Sequence, residues 1–279
     1  MAHFKFLLAF FALLICAGGV AGSYYYYKKF YEPEISLNRQ ISGEGKRVYD
    51  LGERHFQTAL DLLEDGELVA ARDRLLYLLQ YFPESRTYED AKRVVGEVNM
   101  DLLLSRIPQP RKQIHVVRRG EALVTIARRS QTTIDYIMRT NGKTTDTIYP
   151  DEELIVCPLD FRAEIDLEKE RIAILEGDEF FKEYRILDSH LPPEVRAPVS
   201  TSVNEKVAWH KDRPVNFTNE NYMNCSKWLR TGKIGLFIRE ESRAEEEGRA
   251  KPFGVMVAKT DLEEIFTILR VGSPVTVVN

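Results

Sequence analysis

The sequence predicts a multidomain α+β protein with an N-terminal transmembrane helix, a helical hairpin segment, a small βααβ unit and a mostly-β C-terminal domain. Three observations predict it. The chain has 279 residues, 44% of them hydrophobic and 29% charged, which is long for one core and too polar to lie wholly in a bilayer. Apolar residues follow helical spacing in residues 45–105, and β-rich segments separated by turns take over from residue 162 onward. An uncharged stretch, Phe6 to Gly22, lies close to the start. The expected divisions are a signal anchor at 1–30, helices at 45–105, a linker at 106–112, the βααβ unit at 113–158 and the mostly-β domain at 159–279.

The anchor is argued from length and flanks. A spanning helix needs roughly 17 to 25 residues, and Phe6 to Gly22 sits at the lower limit. Lys5 precedes it, and Lys28 and Lys29 follow it. The run Tyr24 to Tyr27 extends the span, because tyrosine favours the membrane interface. We read an uncleaved anchor; the alternative is a signal peptide cleaved near Gly19-Val20-Ala21. Ile15 stands before Cys16 where a lipoprotein signal carries a small residue. Lysines on both flanks leave orientation undecided by charge.

The formal charge of -4 offers no attraction for polyanions, and no basic patch stands out, so no nucleic-acid partner is expected. Cys16, Cys157 and Cys225 lack the short spacings of a zinc site or disulfide framework. They read as solitary thiols, with a Cys157–Cys225 bridge left open. No cofactor and no metal are expected.

In residues 45–105, Tyr49, Phe56, Leu60, Leu63, Leu68, Ala71, Leu75, Leu78 and Leu79 recur at helical spacing, and Gly66 and Pro83 divide the segment into three helices. Gly52 to Asn99 resembles a tetratricopeptide hairpin at Ala59, Gly66, Ala70 and Pro83, followed by a helix from Thr87 to Leu104. One and a half repeats do not close a core, so the segment should pack on a neighbour or self-associate. It is a spacer or a docking surface for a protein partner, and we prefer the spacer. His55 has no second ligand at metal-binding spacing. Ile107-Pro108-Gln109-Pro110 ends the helices, since proline continues neither hydrogen-bond pattern.

From Ile114 to Leu123 the chain reads as a strand, a turn at Gly120 and a helix start. Ile126-Ala127, the helix-like Thr133 to Thr140, Asn141-Gly142, Thr147-Ile148-Tyr149-Pro150 and the strand Leu154-Ile155-Val156 complete the unit. This resembles a LysM domain, with Glu121-Ala122 in place of the commoner Asp-Thr and Asp151 in place of a usual Gly. The resemblance implies a shallow groove for peptidoglycan or another N-acetylglucosamine-containing glycan. Its two sides would be Gly120, Glu121, Ala122 and Leu123 opposite Ile148, Tyr149 and Pro150. Loop backbone can pair with acetamido groups, and Ile148 and Tyr149 offer apolar faces to sugar rings. Ile148 serves equally well to close a small core, and His115 reads simply as a strand-face residue.

Beyond Arg162, strands are expected at 162–167, 171–175, 180–187, 206–209, 234–238 and 252–258. The opening Glu164 to Asp178, the closing helix Asp261 to Phe266 and the strand Val271 to Val277 resemble an L,D-transpeptidase catalytic domain. That family uses a cysteine nucleophile in Ser-His-Gly-Cys-x-Arg and an upstream histidine. Counted back from the closing helix, Pro252 falls at the motif histidine, Gly254 at the cysteine, Met256 at the arginine and Phe237 at the upstream histidine. Without thiolate or imidazole there is no acyl-enzyme, so a non-catalytic domain is expected. The alternative is an active L,D-transpeptidase with relocated residues, for which His210 and Cys225 are the candidates. The charged stretch Arg239 to Lys251 lies where a lid would sit and reads as a solvated loop. The combined expectation is a glycan-binding protein on the outer face of a bacterial cytoplasmic membrane.

Overall fold

The computed structural model describes residues 50–211, 213–240 and 253–278. The expected anchor with Cys16 and Tyr24 to Tyr27, together with Pro252 and residues 241–251, lies outside the described residues. Among the described residues, no helix is long and apolar enough to cross a membrane. The chain divides into two compact units, 1–54 and 55–279.

Helices α1 (Leu51–Glu64), α2 (Leu68–Tyr81) and α3 (Tyr88–Leu104) break where Gly66 and Pro83 stand. Next come β1 (Gln113–Val116), α4 (Leu123–Arg129), α5 (Ile134–Thr140) and β2 (Glu153–Val156), the expected βααβ order. The remainder comprises β3 (Phe161–Asp166), β4 (Arg171–Glu176), β5 (Glu179–Arg185), β6 (Asp188–His190), β7 (Val199–His210), β8 (Arg213–Val215), β9 (Ser226–Thr231), β10 (Phe237–Glu240), β11 (Gly254–Val257), α6 (Lys259–Ile268) and β12 (Pro274–Val278).

Strands β3 to β12 form one sheet in the order β5-β4-β3-β12-β7-β9-β10-β11-β6, with β8 on the end of β7. The long strand β7 joins its two halves. Val199 to Ser202 pair with β12, Val203 to Trp209 pair with β9, and the register shifts between Val203 and Glu205. An extra residue bends the bulged strand. The last strand, β12, lies parallel to β3 and antiparallel to β7, so the two ends of the domain meet inside its sheet.

The sequence misplaced part of this sheet. Ile234, expected to begin a strand, is 90% exposed in the turn before β10. Strand β9 was not foreseen. Its inward face alternates Lys227 with Leu229, and a lysine in that place reads as solvent-facing until its partners are known.

The helical segment leans on the sheet, which is the neighbour-packing arrangement of the two expected. Ala59, Leu75, Leu78, Ala91 and Val95 form a small core with Phe180 of β5 against it. Gly96 is required at the contact, because a Cβ there would stand 2.9 Å from the Lys182 side chain. Lys182 pairs with Glu97 and Glu264 at 2.7 Å each, and Asn99 donates to the Phe181 carbonyl at 2.8 Å. The 106–112 stretch carries neither helix nor strand, yet it is tied down. Lys112 donates to the Leu102 and Ser105 carbonyls at 2.6 and 2.5 Å, closing the C-terminus of α3.

One apolar core runs from Met100 and Leu103 of α3 through Leu123, Ile126, Tyr136, Ile137 and Leu154 of the βααβ unit into Phe161, Ile174, Ile265 and Val275. A buried charge cluster crosses the same boundary. Lys227, fully buried, lies 2.6 Å from Glu263 of α6 and 3.7 Å from Asp135 of α5. Asp135 also faces Lys206 at 3.7 Å and accepts from the Tyr222 hydroxyl at 3.1 Å. Glu263 is shared with Arg139 of α5. Burial pushes the Lys206 ammonium down to about 8 even though Asp135 opposes it. Lys206 also donates to the Phe266 carbonyl and lies 4.3 Å above its ring.

Removing one member of such a cluster strands its partner. Glu263→Ala should cost about 3–5 kcal/mol in denaturant unfolding, as for a broken buried pair. Lys227→Met should cost less, because Asp135 keeps Lys206 and Glu263 keeps Arg139. Equal costs would show that the cluster does not act as a paired set.

Candidate functional site

Strands β1 and β2 pair antiparallel from Gln113↔Val156 to Val116↔Glu153. Alternation turns Leu154 and Val156 into the core and leaves Ile114 and Val116 exposed. Two loops leave the same end of this ribbon, one between Val117 and Ala122, the other from Thr147 to Glu152. Their roots are joined: Val117 donates to the Glu152 carbonyl and Asp151 to the Val117 carbonyl, each at 2.9 Å.

Each loop is closed by its own glutamate. Glu121 accepts from the Arg118 amide at 2.9 Å, with His115 Nε2 and Arg129 Nη1 at 2.8 Å. The Arg118 amide, followed by His115, draws its carboxyl down to about 2. Glu152 repeats the turn: it accepts from the Tyr149 amide at 2.9 Å and from Lys143 at 2.6 Å. The Lys143 hydrogen bond holds its carboxyl below the usual range, against partial desolvation. Asp151, where the resemblance has a usual Gly, adopts φ of 65°, a region aspartate tolerates better than most residues. Asn141 fixes the end of α5 to β2, exchanging hydrogen bonds with Ile155 at 2.8 and 3.0 Å.

These contacts sort the predicted glycan residues. Gly120, Ala122 and Pro150 are exposed, and Tyr149 is 67% exposed. Leu123 is 2% exposed in the core and can offer only backbone. Ile148 is half-buried against that core. Glu121 is engaged within its loop, and His115 is its partner as well as a strand residue. Sequence reasoning missed the matched roles of Glu121 and Glu152. The available signal was a glutamate three residues after the first amide of each turn.

In the C-terminal domain, β11 pairs parallel with β10 and antiparallel with β6, so Phe237, Gly254 and Met256 come together at one end of the sheet. Gly254 has φ of 134°, and a Cβ there would stand 2.9 Å from the Phe237 carbonyl oxygen and 3.1 Å from Arg239 Cδ. The space that a nucleophilic side chain would need is filled. Cys157 and Cys225 are free, buried thiols. Cys225 lies just past the Trp209↔Ser226 rung from His210, but its thiol donates to the Asn221 carbonyl at 3.2 Å. Burial pushes that thiol up, away from thiolate. Among the described residues, no three His, Cys, Asp or Glu side chains gather to hold a metal.

Residues 115–156 match the family model of the LysM domain. No curated protein matches the chain. Among solved structures, it is similar to a cysteine-to-serine variant of an Enterococcus faecium L,D-transpeptidase, at 17% identity and a TM-score of 0.30, over 48% of this chain and 54% of that one. It is also similar to L,D-transpeptidase (Yku) from Stackebrandtia nassauensis, at 14% identity and 0.32, over 43% and 56%. A third is Mycobacterium tuberculosis L,D-transpeptidase 1, at 10% identity and 0.31, over 47% and 68%. The chain spans about half the length of the first two, and no residue role is taken from these likenesses.

The LysM loop chemistry has a pH signature. The Glu121 carboxyl lies near 2 in the folded chain against an ordinary 4.5. Its contribution is therefore complete above about 4.5 and is lost as pH falls from there towards 2. A carboxyl-carbon NMR titration should show that low midpoint, and Glu121→Gln should speed hydrogen exchange at the Arg118 amide. A midpoint near 4.5 would remove the carboxylate from its role in the turn.

Proposed function

We propose that this chain is a membrane-tethered peptidoglycan-binding protein whose LysM domain recognises N-acetylglucosamine-containing glycan, and whose transpeptidase-like domain is non-catalytic. One observation carries the glycan reading: the LysM match at 115–156 coincides with two rigid loops that stay open to solvent. Tyr149 and Pro150 offer apolar surface to sugar rings, and the backbone of Gly120 to Leu123 not already used by the turn and by α4 offers polar partners for acetamido groups. A shallow groove buries little ligand, so affinity is modest. Tethering through residues 1–30, with the bulk of the chain extracytoplasmic, would raise the local concentration of wall glycan.

The non-catalytic reading is supported by chemistry at named positions. Acyl transfer needs a nucleophile and a proton acceptor within reach, and Gly254 and Phe237 supply neither. The Cys225 thiol donates its proton to the Asn221 carbonyl.

The full chain should co-sediment with insoluble peptidoglycan. Tyr149→Ala should weaken this roughly fivefold, as expected for loss of about 1 kcal/mol of ring contact, with no change in unfolding temperature. A folded chain that stays in the supernatant would sink the glycan reading. The same chain should give no turnover on tetrapeptide donors, with or without Cys225→Ser. A carbapenem adduct on Cys225 would instead establish the relocated active site.

A further inference from the structure

The face of β7, β9, β10 and β11 turned away from α6 holds an unexplained set of donors. Arg239 is 5% exposed, and its Nε and Nη1 are buried without a hydrogen-bond partner. Its guanidinium lies 4.2 Å above the Trp228 ring. Trp209, whose ring stands 5.4 Å from that of Trp228, has its buried Nε1 in the same condition. Phe237 continues the aromatic row at 6.1 Å from Trp228. The cross-strand pairs Val207↔Trp228 and Trp228↔Arg239 put these side chains on one face.

A buried guanidinium without acceptors is costly, and stacking on a ring repays only part of that cost. Among the described residues, the carboxylate that acts on it is Glu240, the next residue in the strand, and no hydrogen bond joins them. Donors without an acceptor call for a ligand that brings one. We infer that this face is a binding site for a single carboxylate carried on an apolar body, with Arg239 as the donor and Trp209, Trp228 and Phe237 as the apolar wall.

A carboxylate suits the site better than a phosphate. Its two oxygens fit the two-pronged edge of one guanidinium, and its single charge matches one cation. The other arginine on this face, Arg230, is already paired with Glu205 at 2.8 Å. The surrounding rings favour an apolar substituent over further charge. The Arg239 stem, with the Phe237 carbonyl, also takes the space that a side chain at Gly254 would need. This site does not rest on glycan binding by the LysM domain, and its failure would leave the sedimentation result untouched.

Both tryptophans of the chain lie on this face, so intrinsic emission of the full chain reports the site without a label. N-acetylphenylalanine should change that emission saturably, whereas N-acetylphenylalaninamide and inorganic phosphate should not. Arg239→Met should weaken binding by about tenfold or more without lowering the unfolding temperature, because it removes an unpaired buried charge. Arg239→Lys keeps the charge but loses the fork, and should bind measurably more weakly than the parent. The proposal is overturned by no response to the acid, by equal responses to acid and amide, by a response to phosphate alone, or by either variant binding as well as the parent. If Arg239→Met does not fold, Arg239→Lys decides.

Discussion

The architecture depends on a charge cluster whose members give up water and must find their partners elsewhere in the chain. Asp135, Glu263, Lys206, Lys227 and Arg139 come from α5, α6, β7 and β9, and they meet where the LysM domain joins the sheet. Each ion is stable there only because its partners arrive from other parts of the chain. Sliding of one domain on the other would strand a buried charge, so the cluster disfavours it. Tyr222 and the carbonyl partners of Lys206 and Thr133 extend it, while Arg139 Nε stays buried without a partner.

This placement separates the two faces of the LysM domain. Tyr136, Ile137 and Leu154 disappear into the shared core, together with the Leu123 side chain. The loops at the other end are held by Glu121 and Glu152 rather than by burial. Local charge-assisted hydrogen bonds can fix a loop without covering it, which is what a surface groove needs. The cost of ordering these loops is met before a ligand arrives, so less of the binding energy is spent on it.

The C-terminal sheet shows the opposite economy. Beside Gly254 the Phe237 carbonyl and the Arg239 stem leave no room for a side chain, and the Arg239 guanidinium stacks on Trp228. The sheet and α6 are held together by apolar residues such as Ile165, Ile172, Ile174, Ile265 and Phe266, which carry packing. The aromatic face of the same sheet carries donors without acceptors, on Arg239 and Trp209.

Periodicity and punctuation determined most of the local structure. Gly66 and Pro83 separate the helices, while the βααβ order of Ile114 to Val156 and the opening hairpin and closing helix of the last domain were legible through their resemblance to known families. The exposure of Gly120, Ala122, Tyr149 and Pro150 was also legible, because turn residues stay at the surface. What tertiary structure alone decided concerns polar residues whose meaning depends on distant partners. Lys227 lies in a strand that was not expected, Asp135 drew no reading, Arg239 looked like the beginning of a charged loop, and Leu123 looked like part of a groove. The physical reason is common to all four: burial of a side chain is set by what packs over it from elsewhere in the chain, and local sequence specifies a strand or helix without specifying which neighbour will cover it.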